Sequence, residues 1–148
     1  MPVSTIPARL FEQAQKRGQS IAYGEAVSDG WKTTTWSTYA EEVRQAARAL
    51  LSLGVEPGDS VCILGFNRPE WVVFDVAAMA IGAVPAGIYT TCSPVEVQYI
   101  IDHSEANVVL LENASQWAKV EEERARLPGL KHVVMMKGAS VEDPIAMD

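Results

Sequence analysis

Cysteine is scarce in this 148-residue chain, which has Cys62 inside an apolar run and Cys92 in a Thr/Ser turn. Two thiols so placed form no disulfide framework and read as reduced cysteines of a cytoplasmic protein. Positive charge is also in short supply: 12 Lys and Arg stand against 19 Asp and Glu, a formal net charge of −7. With no run of Lys and Arg, the chain lacks the basic face needed to displace counterions, which weighs against nucleic acid and anionic membrane surfaces as partners. Long hydrophobic runs are missing as well. The longest, Trp71 to Val84, contains Asp75, is followed by Pro85 and is too short to cross a bilayer, so no transmembrane segment is expected. The N-terminal stretch MPVSTIPARLFEQAQKRG has two early prolines and no uninterrupted apolar core, and reads as neither signal peptide nor anchor. His103 and His132, with the two cysteines, have no metal-binding spacing. Phosphate-cradling glycine motifs are lacking too. Gly65 is followed by Phe66-Asn67-Arg68-Pro69-Glu70 where a dinucleotide-binding turn needs further glycines, and no Walker A sequence occurs.

What the chain does have is core material. Hydrophobic residues make up 48% and charged residues 21%, which fits one ordinary globular domain and rules out disorder throughout. Ile6 and Leu10 recur at helical spacing up to Gly18. Ile21 to Val27 and Thr33 to Trp36 flank Ser28-Asp29-Gly30, whose Asp-Gly pair tolerates positive φ and favours a β-hairpin. Ser37 is read as the N-cap of a helix carrying Tyr39, Val43, Ala46, Ala47, Leu50 and Leu53 on one face and ending at Gly54.

Four short apolar runs follow: Val61 to Leu64, Val84 to Tyr89, Val108 to Leu111 and Val133 to Met135. Between them lie helix-length segments, the first from about Pro69 to Ile81 and apolar nearly all round. The second opens with a capping box of Ser93 and Glu96 around Pro94 and runs through His103. The third is a charged amphipathic helix from Gln116 to Leu127. Continuously apolar, β-branched strands separated by helices predict an α/β fold, a parallel sheet with helices on both faces. Residues 1–137 are taken as one α/β unit and 138–148 as a frayed tail at a truncation point. No internal repeat or low-complexity segment is visible.

Two motifs bear on ligands. In Asn67-Arg68-Pro69-Glu70-Trp71 each residue has a local structural use: Asn67 as helix cap, Pro69 presetting φ, Glu70 at the positive end of the helix dipole, and Trp71 filling core volume. That use is preferred over ligand contact. Tyr89-Thr90-Thr91-Cys92-Ser93 lies where the second parallel strand ends, the side on which open α/β sheets bind ligands. Its competing reading is a turn whose hydroxyls satisfy backbone groups. Asn67, Tyr89, Thr90 and Thr91 are the substrate-binding candidates. No catalytic residue and no metal ligand is assigned. Cys92 has no histidine near it in sequence to activate it.

The Asn-X-Pro-Glu-Trp segment at Asn67 to Trp71, together with GIYTTCSPVEVQYI at Gly87 to Ile100, resembles the beginning of the adenylate-forming acyl-CoA synthetases. The likeness is greatest to long-chain fatty acyl-CoA ligases, including the bubblegum-type branch, and covers nearly the whole chain. It implies a parent reaction in which a fatty acid and ATP give acyl-adenylate and pyrophosphate, and the CoA thiol then gives the thioester and AMP. ATP, Mg2+ and CoA are the parent's implied cofactors and cosubstrates. The family's Ser/Thr/Gly-rich loop ending in Pro-Lys-Gly, its Tyr-Gly-X-Thr-Glu motif, its ribose-holding Asp and Arg and its C-terminal Lys have no counterpart here. The chain alone is therefore expected to be inactive and to bind no cofactor. The expected partner is the remainder of the parent enzyme, with self-association through exposed apolar surface as a further expectation. The alternatives are a short non-catalytic binding module and a related adenylating enzyme for another acid.

Overall fold

The computed structural model describes residues 4–139, 141 and 146–147. The chain opens with α1 (Ile6–Arg17), a hairpin of β1 (Ile21–Val27) and β2 (Gly30–Thr35), and α2 (Trp36–Ser52). There follow β3 (Ser60–Leu64), α3 (Pro69–Ala80), β4 (Val84–Ile88), α4 (Pro94–His103), β5 (Ala106–Leu111), α5 (Ala114–Glu122), a 3₁₀ turn (Arg124–Arg126), β6 (His132–Met135) and β7 (Ala146–Met147). Strands β3 to β7 form a parallel sheet in the order β4-β3-β5-β6-β7, and β1 and β2 pair antiparallel apart from it. The four apolar runs are thus neighbouring parallel strands. Within the tail, Ala146–Met147 pair with Val133 and Val134; residues 140, 142–145 and 148 lie outside the described residues, so the expected fraying falls largely on residues that are not described.

Because side chains alternate along a strand, each strand feeds two cores. Val61, Ile63, Val108, Leu110 and Met136 meet Tyr39, Val43, Leu50, Phe74, Ala77 and Ala78 from α2 and α3 on one face. Cys62, Leu64, Val109, Leu111, Val133 and Met135 meet Val97, Ile101, Trp117 and Val120 from α4 and α5 on the other. Complete burial of a Leu or Ile is worth about 1.5 to 3 kcal/mol, so these two layers dominate the folding energy. The hairpin leans on α2 through an edge-to-face pair of Tyr23 and Tyr39, ring centroids 5.3 Å apart. Gly30, at φ +127°, takes the positive φ of the hairpin while Asp29 does not.

Several local expectations shift. The N-cap of α2 is Thr35, whose hydroxyl accepts from Thr38 N at 3.2 Å; Ser37 is already inside the helix. The N-cap of α3 is Arg68, with no side-chain cap, so Asn67 does not serve as expected. The reason is Pro69: the residue before a proline is driven to extended backbone, and Arg68 sits at φ −120°, ψ 161°. Glu70 accordingly pairs with the Arg68 guanidinium at 2.7 Å. The third amphipathic segment stops as a helix at Glu122. Pro128 holds Leu127 off helical geometry, at φ −121°, ψ 58°, and the buried Leu127 and Leu130 turn inward with their carbonyls accepting from Arg124 at 2.9 and 2.7 Å. The capping box at Ser93 forms as expected, with Ser93 N donating to Glu96 Oε2 at 2.7 Å.

Candidate functional site

Strands β3 and β4 pair in register, Leu64 beside Ile88, so the loops leaving their carboxyl ends lie side by side. Between them is an open crevice of about 460 Å³ lined by Gly65, Phe66, Asn67, Trp71, Gly87, Ile88, Tyr89 and Thr90. Three of the four sequence candidates, Asn67, Tyr89 and Thr90, come together here. Thr91 does not line the crevice; it is exposed on the next position of the turn. Asn67 also forms the rim of a second, larger groove of about 650 Å³ between β1 and the start of α3, lined by Ala22, Tyr23, Tyr39, Arg68, Pro69 and Val72 among others.

Glycines set the shape of the crevice. At Gly87 a Cβ would stand 3.0 Å from Trp71 Cζ2, so its absence lets the indole lie against β4. At Gly65 a Cβ would meet Met136 Cε at 2.8 Å and Glu112 Cβ at 2.9 Å. Sequence reading gave Gly65 no role, since the contact depends on β5 and the end of β6, remote in the chain. The aromatic walls are unusually bare, Phe66 63% and Tyr89 83% exposed.

The topology would place a ligand elsewhere by default. From β3 the chain crosses to β4 on one side, then returns past β3 to β5 on the other, which makes the gap between β3 and β5 the switch point where doubly wound sheets bind ligands. Here Glu112 at the end of β5 closes that gap: its Oε2 accepts from Phe66 N at 2.9 Å. The open space lies one strand over, between β3 and β4.

Chemically, the crevice lining offers apolar surface, one amide, one threonine hydroxyl, one phenol and the indole N–H of Trp71. It contains no carboxylate, imidazole, thiol or ammonium, so its side chains suit binding rather than proton transfer. The perturbed acids lie apart from it. Burial raises the Asp75 carboxyl on α3 and pushes the Tyr39 phenol, in the larger groove, up to about 12. Burial also pushes the Cys62 thiol up, and the Glu96 carboxyl is lowered by the Ser93 backbone N–H. Among the described residues no three His, Cys, Asp or Glu side chains gather as metal ligands. Among those residues no helix is long and apolar enough to cross a membrane. A nucleoside triphosphate with Mg2+ needs cations and carboxylates that this lining does not supply, so the crevice does not fit that group.

The architecture is that of the acyl-CoA ligase N-terminal domain. Acetoacetyl-CoA synthetase from Streptomyces lividans superposes with a TM-score of 0.85 at 23% identity, over 96% of this chain and 24% of that one, a likeness of fold alone. The anthranilate CoA ligase AuaEII, solved with anthranoyl-AMP, gives 0.81 at 27% identity over 94% of this chain and 26% of that one. The AMP-binding enzyme family matches residues 10–147, and the chain belongs to it. Among curated relatives, the long-chain-fatty-acid–CoA ligase heimdall of Drosophila melanogaster is 39% identical over 142 residues, 93% of this chain and 21% of the relative. The human long-chain-fatty-acid–CoA ligase ACSBG1 is 38% identical over 133 residues, 90% of this chain and 18% of the relative. The chain thus spans about a fifth of the length of the curated relatives it matches.

Proposed function

We propose that this chain is the N-terminal α/β unit of an AMP-forming long-chain fatty acyl-CoA ligase, acting in the cytoplasm. The observation that carries the reading is the 38–39% identity to long-chain ligases, including an ACSBG member, sustained over nine-tenths of this chain. The parent converts a fatty acid and ATP to acyl-adenylate and pyrophosphate, then to acyl-CoA and AMP. ATP, Mg2+ and CoA are held by the remainder of the polypeptide, because the crevice here supplies neither charge for phosphates nor ligands for a metal. This unit contributes a binding wall: Phe66, Trp71 and Tyr89 give apolar contact, while Asn67 and Thr90 give polar handles, with Thr91 at the turn's outer edge.

The bare aromatic surface of Phe66 and Tyr89 is what the remainder of the enzyme covers. When it is missing, that surface drives self-association, visible as a concentration-dependent mass in light scattering. The catalytic reading is tested by incubating the purified chain with ATP, Mg2+ and a panel of fatty acids. No pyrophosphate above the no-protein control is expected, and fatty-acid-dependent release that survives repurification refutes it. The binding reading is tested in the longer ligase. Asn67→Ala and Thr90→Val each remove a polar contact, which is worth about 0.5 to 1.5 kcal/mol, so kcat/KM for a long-chain acid should fall roughly 2- to 13-fold. Unchanged kinetics in both variants sink it.

A further inference from the structure

The turn that follows β4 is fastened by a side chain from another helix. Its own hydrogen bond, Cys92 N to Tyr89 O at 3.0 Å, closes the four residues Tyr89 to Cys92. Downstream, the Ser93–Glu96 box ties it to α4. Two further carbonyls of the turn, Thr90 O and Cys92 O, both accept from one ammonium: Lys119 Nζ on α5 stands 2.7 Å from the first and 2.8 Å from the second. Lys119 takes part in none of the ion pairs among the described residues, so its charge is met by these carbonyls. Charge-assisted hydrogen bonds are about twice as strong as neutral ones. A single side chain thereby joins α5 to the wall of a crevice it does not line.

We propose that Lys119 is a positioning residue for the crevice: its ammonium latches the Tyr89–Ser93 turn so that Tyr89 and Thr90 stay on the wall. The inference rests on reading that crevice as substrate-facing, but the latch itself needs no ligand to be observed. Without the ammonium both carbonyls must find water, and the turn opens away from α5. Cys92 reports this opening. It is half-buried and packs on the core beneath α4, whereas Cys62, fully buried in β3, stays covered unless the whole domain unfolds.

The test compares wild type, Lys119→Met and Lys119→Arg in the 148-residue chain. Iodoacetamide labelling is read peptide by peptide alongside amide hydrogen exchange over residues 90–93. Lys119→Met, which keeps the apolar stem, should raise Cys92 alkylation and exchange in that turn about tenfold or more, since the lost bonds are charge-assisted. Cys62 should stay unreactive and the unfolding transition cooperative. Lys119→Arg, which can donate to both carbonyls, should return the rates toward wild type. Wild-type rates in Lys119→Met overturn the latch, and so does a parallel rise at Cys62, which would mark general destabilisation. The substrate reading fails on a different result: Asn67→Ala and Thr90→Val leaving kcat/KM of the longer ligase unchanged.

Discussion

Gly65→Ala is the sharpest perturbation available, because it adds one methyl group where three strand ends converge. The new Cβ would lie 2.8 Å from Met136 Cε and 2.9 Å from Glu112 Cβ. Carbon atoms prefer roughly 3.5 to 4.0 Å, so the neighbours must yield by about 0.6 to 1.2 Å. Met136 is only 2% exposed, and its thioether has little room to swing. Glu112 Cβ is fixed to the backbone at the end of β5, and its carboxylate is engaged by Phe66 N. Overpacking of this kind costs about 1 to 3 kcal/mol. With a urea slope of about 1 to 3 kcal/mol per M, that lowers the midpoint by several tenths of a molar to more than one. Urea unfolding followed by the fluorescence of Trp31, Trp36, Trp71 and Trp117 measures it. Met136→Ala alone should destabilise by about 2 to 5 kcal/mol through its cavity. In the double variant the alanine at 65 gains space, so the combined loss should be smaller than the sum of the two separate losses. An unshifted midpoint in Gly65→Ala, or strict additivity with Met136→Ala, would show that β3, β5 and β6 do not close on Gly65 as described.

Three further outcomes follow from local geometry. Among the described residues Glu105 is the non-glycine residue with positive φ, +55°, just after the C-cap of α4. Glu105→Gly should relieve a left-handed strain of about 1 to 2 kcal/mol, less about 0.5 to 1 of added unfolded-chain entropy, and raise the melting temperature by up to roughly 6 °C; a drop refutes it. Ser93→Ala removes the hydroxyl half of the capping box and should cost about 1 kcal/mol by thermal melting. Glu96's own contribution exists above the ordinary carboxylate pKa of 4.5 and is lost as pH falls through its lowered folded value. Because the Ser93 backbone N–H is the larger cause, the variant should weaken that acid dependence without abolishing it. Tyr39, held neutral by burial, contributes stability that is complete below pH 10 and lost as pH rises through about 12. Tyr39→Phe should flatten the alkaline limb of a denaturation-versus-pH curve, and an identical limb would count against buried Tyr39 as its source.

Pattern made the frame legible. Continuous apolar runs such as Val108 to Leu111 identify strands buried on both faces, and Ser93-Pro94-Val95-Glu96 writes a helix start in four residues. Where two local signals competed, the choice failed. Asn67 and Arg68 compete to cap α3, and the steric demand of Pro69 on its predecessor decides for Arg68, which leaves the Asn67 amide free of the helix and available at the rim of both hollows. Thr35 and Ser37 compete in the same way, and the earlier hydroxyl caps because Trp36 already belongs to the helix. The contacts of Lys119 and Glu112 were beyond local reading. Lys119 bonds residues 27 and 29 positions away, and Glu112 bonds one 46 positions away. No short-range pattern encodes a partner fixed only when the sheet is assembled.

Those long-range contacts explain why the crevice lies between β3 and β4. The β3–β5 gap is where crossovers of opposite sense part and a ligand would ordinarily enter. Glu112 spans it with a charge-assisted hydrogen bond, and Met136 and Glu112 pack so close to Gly65 that no side chain fits between. Closing this gap fixes the direction in which Phe66 and Asn67 leave β3. On the opposite wall, Lys119 and the Ser93 box fix the direction in which Tyr89 and Thr90 leave β4. Both walls are therefore held by groups behind them, and Ile88 and Trp71 pack on the cores, leaving the Phe66 and Tyr89 side chains unspent on structure. On the proposed reading, such a surface is preorganised for contact with something outside this unit. Its lack of charge limits that contact to shape, apolar area and a few polar handles, which suits a binding wall completed by the rest of a larger enzyme.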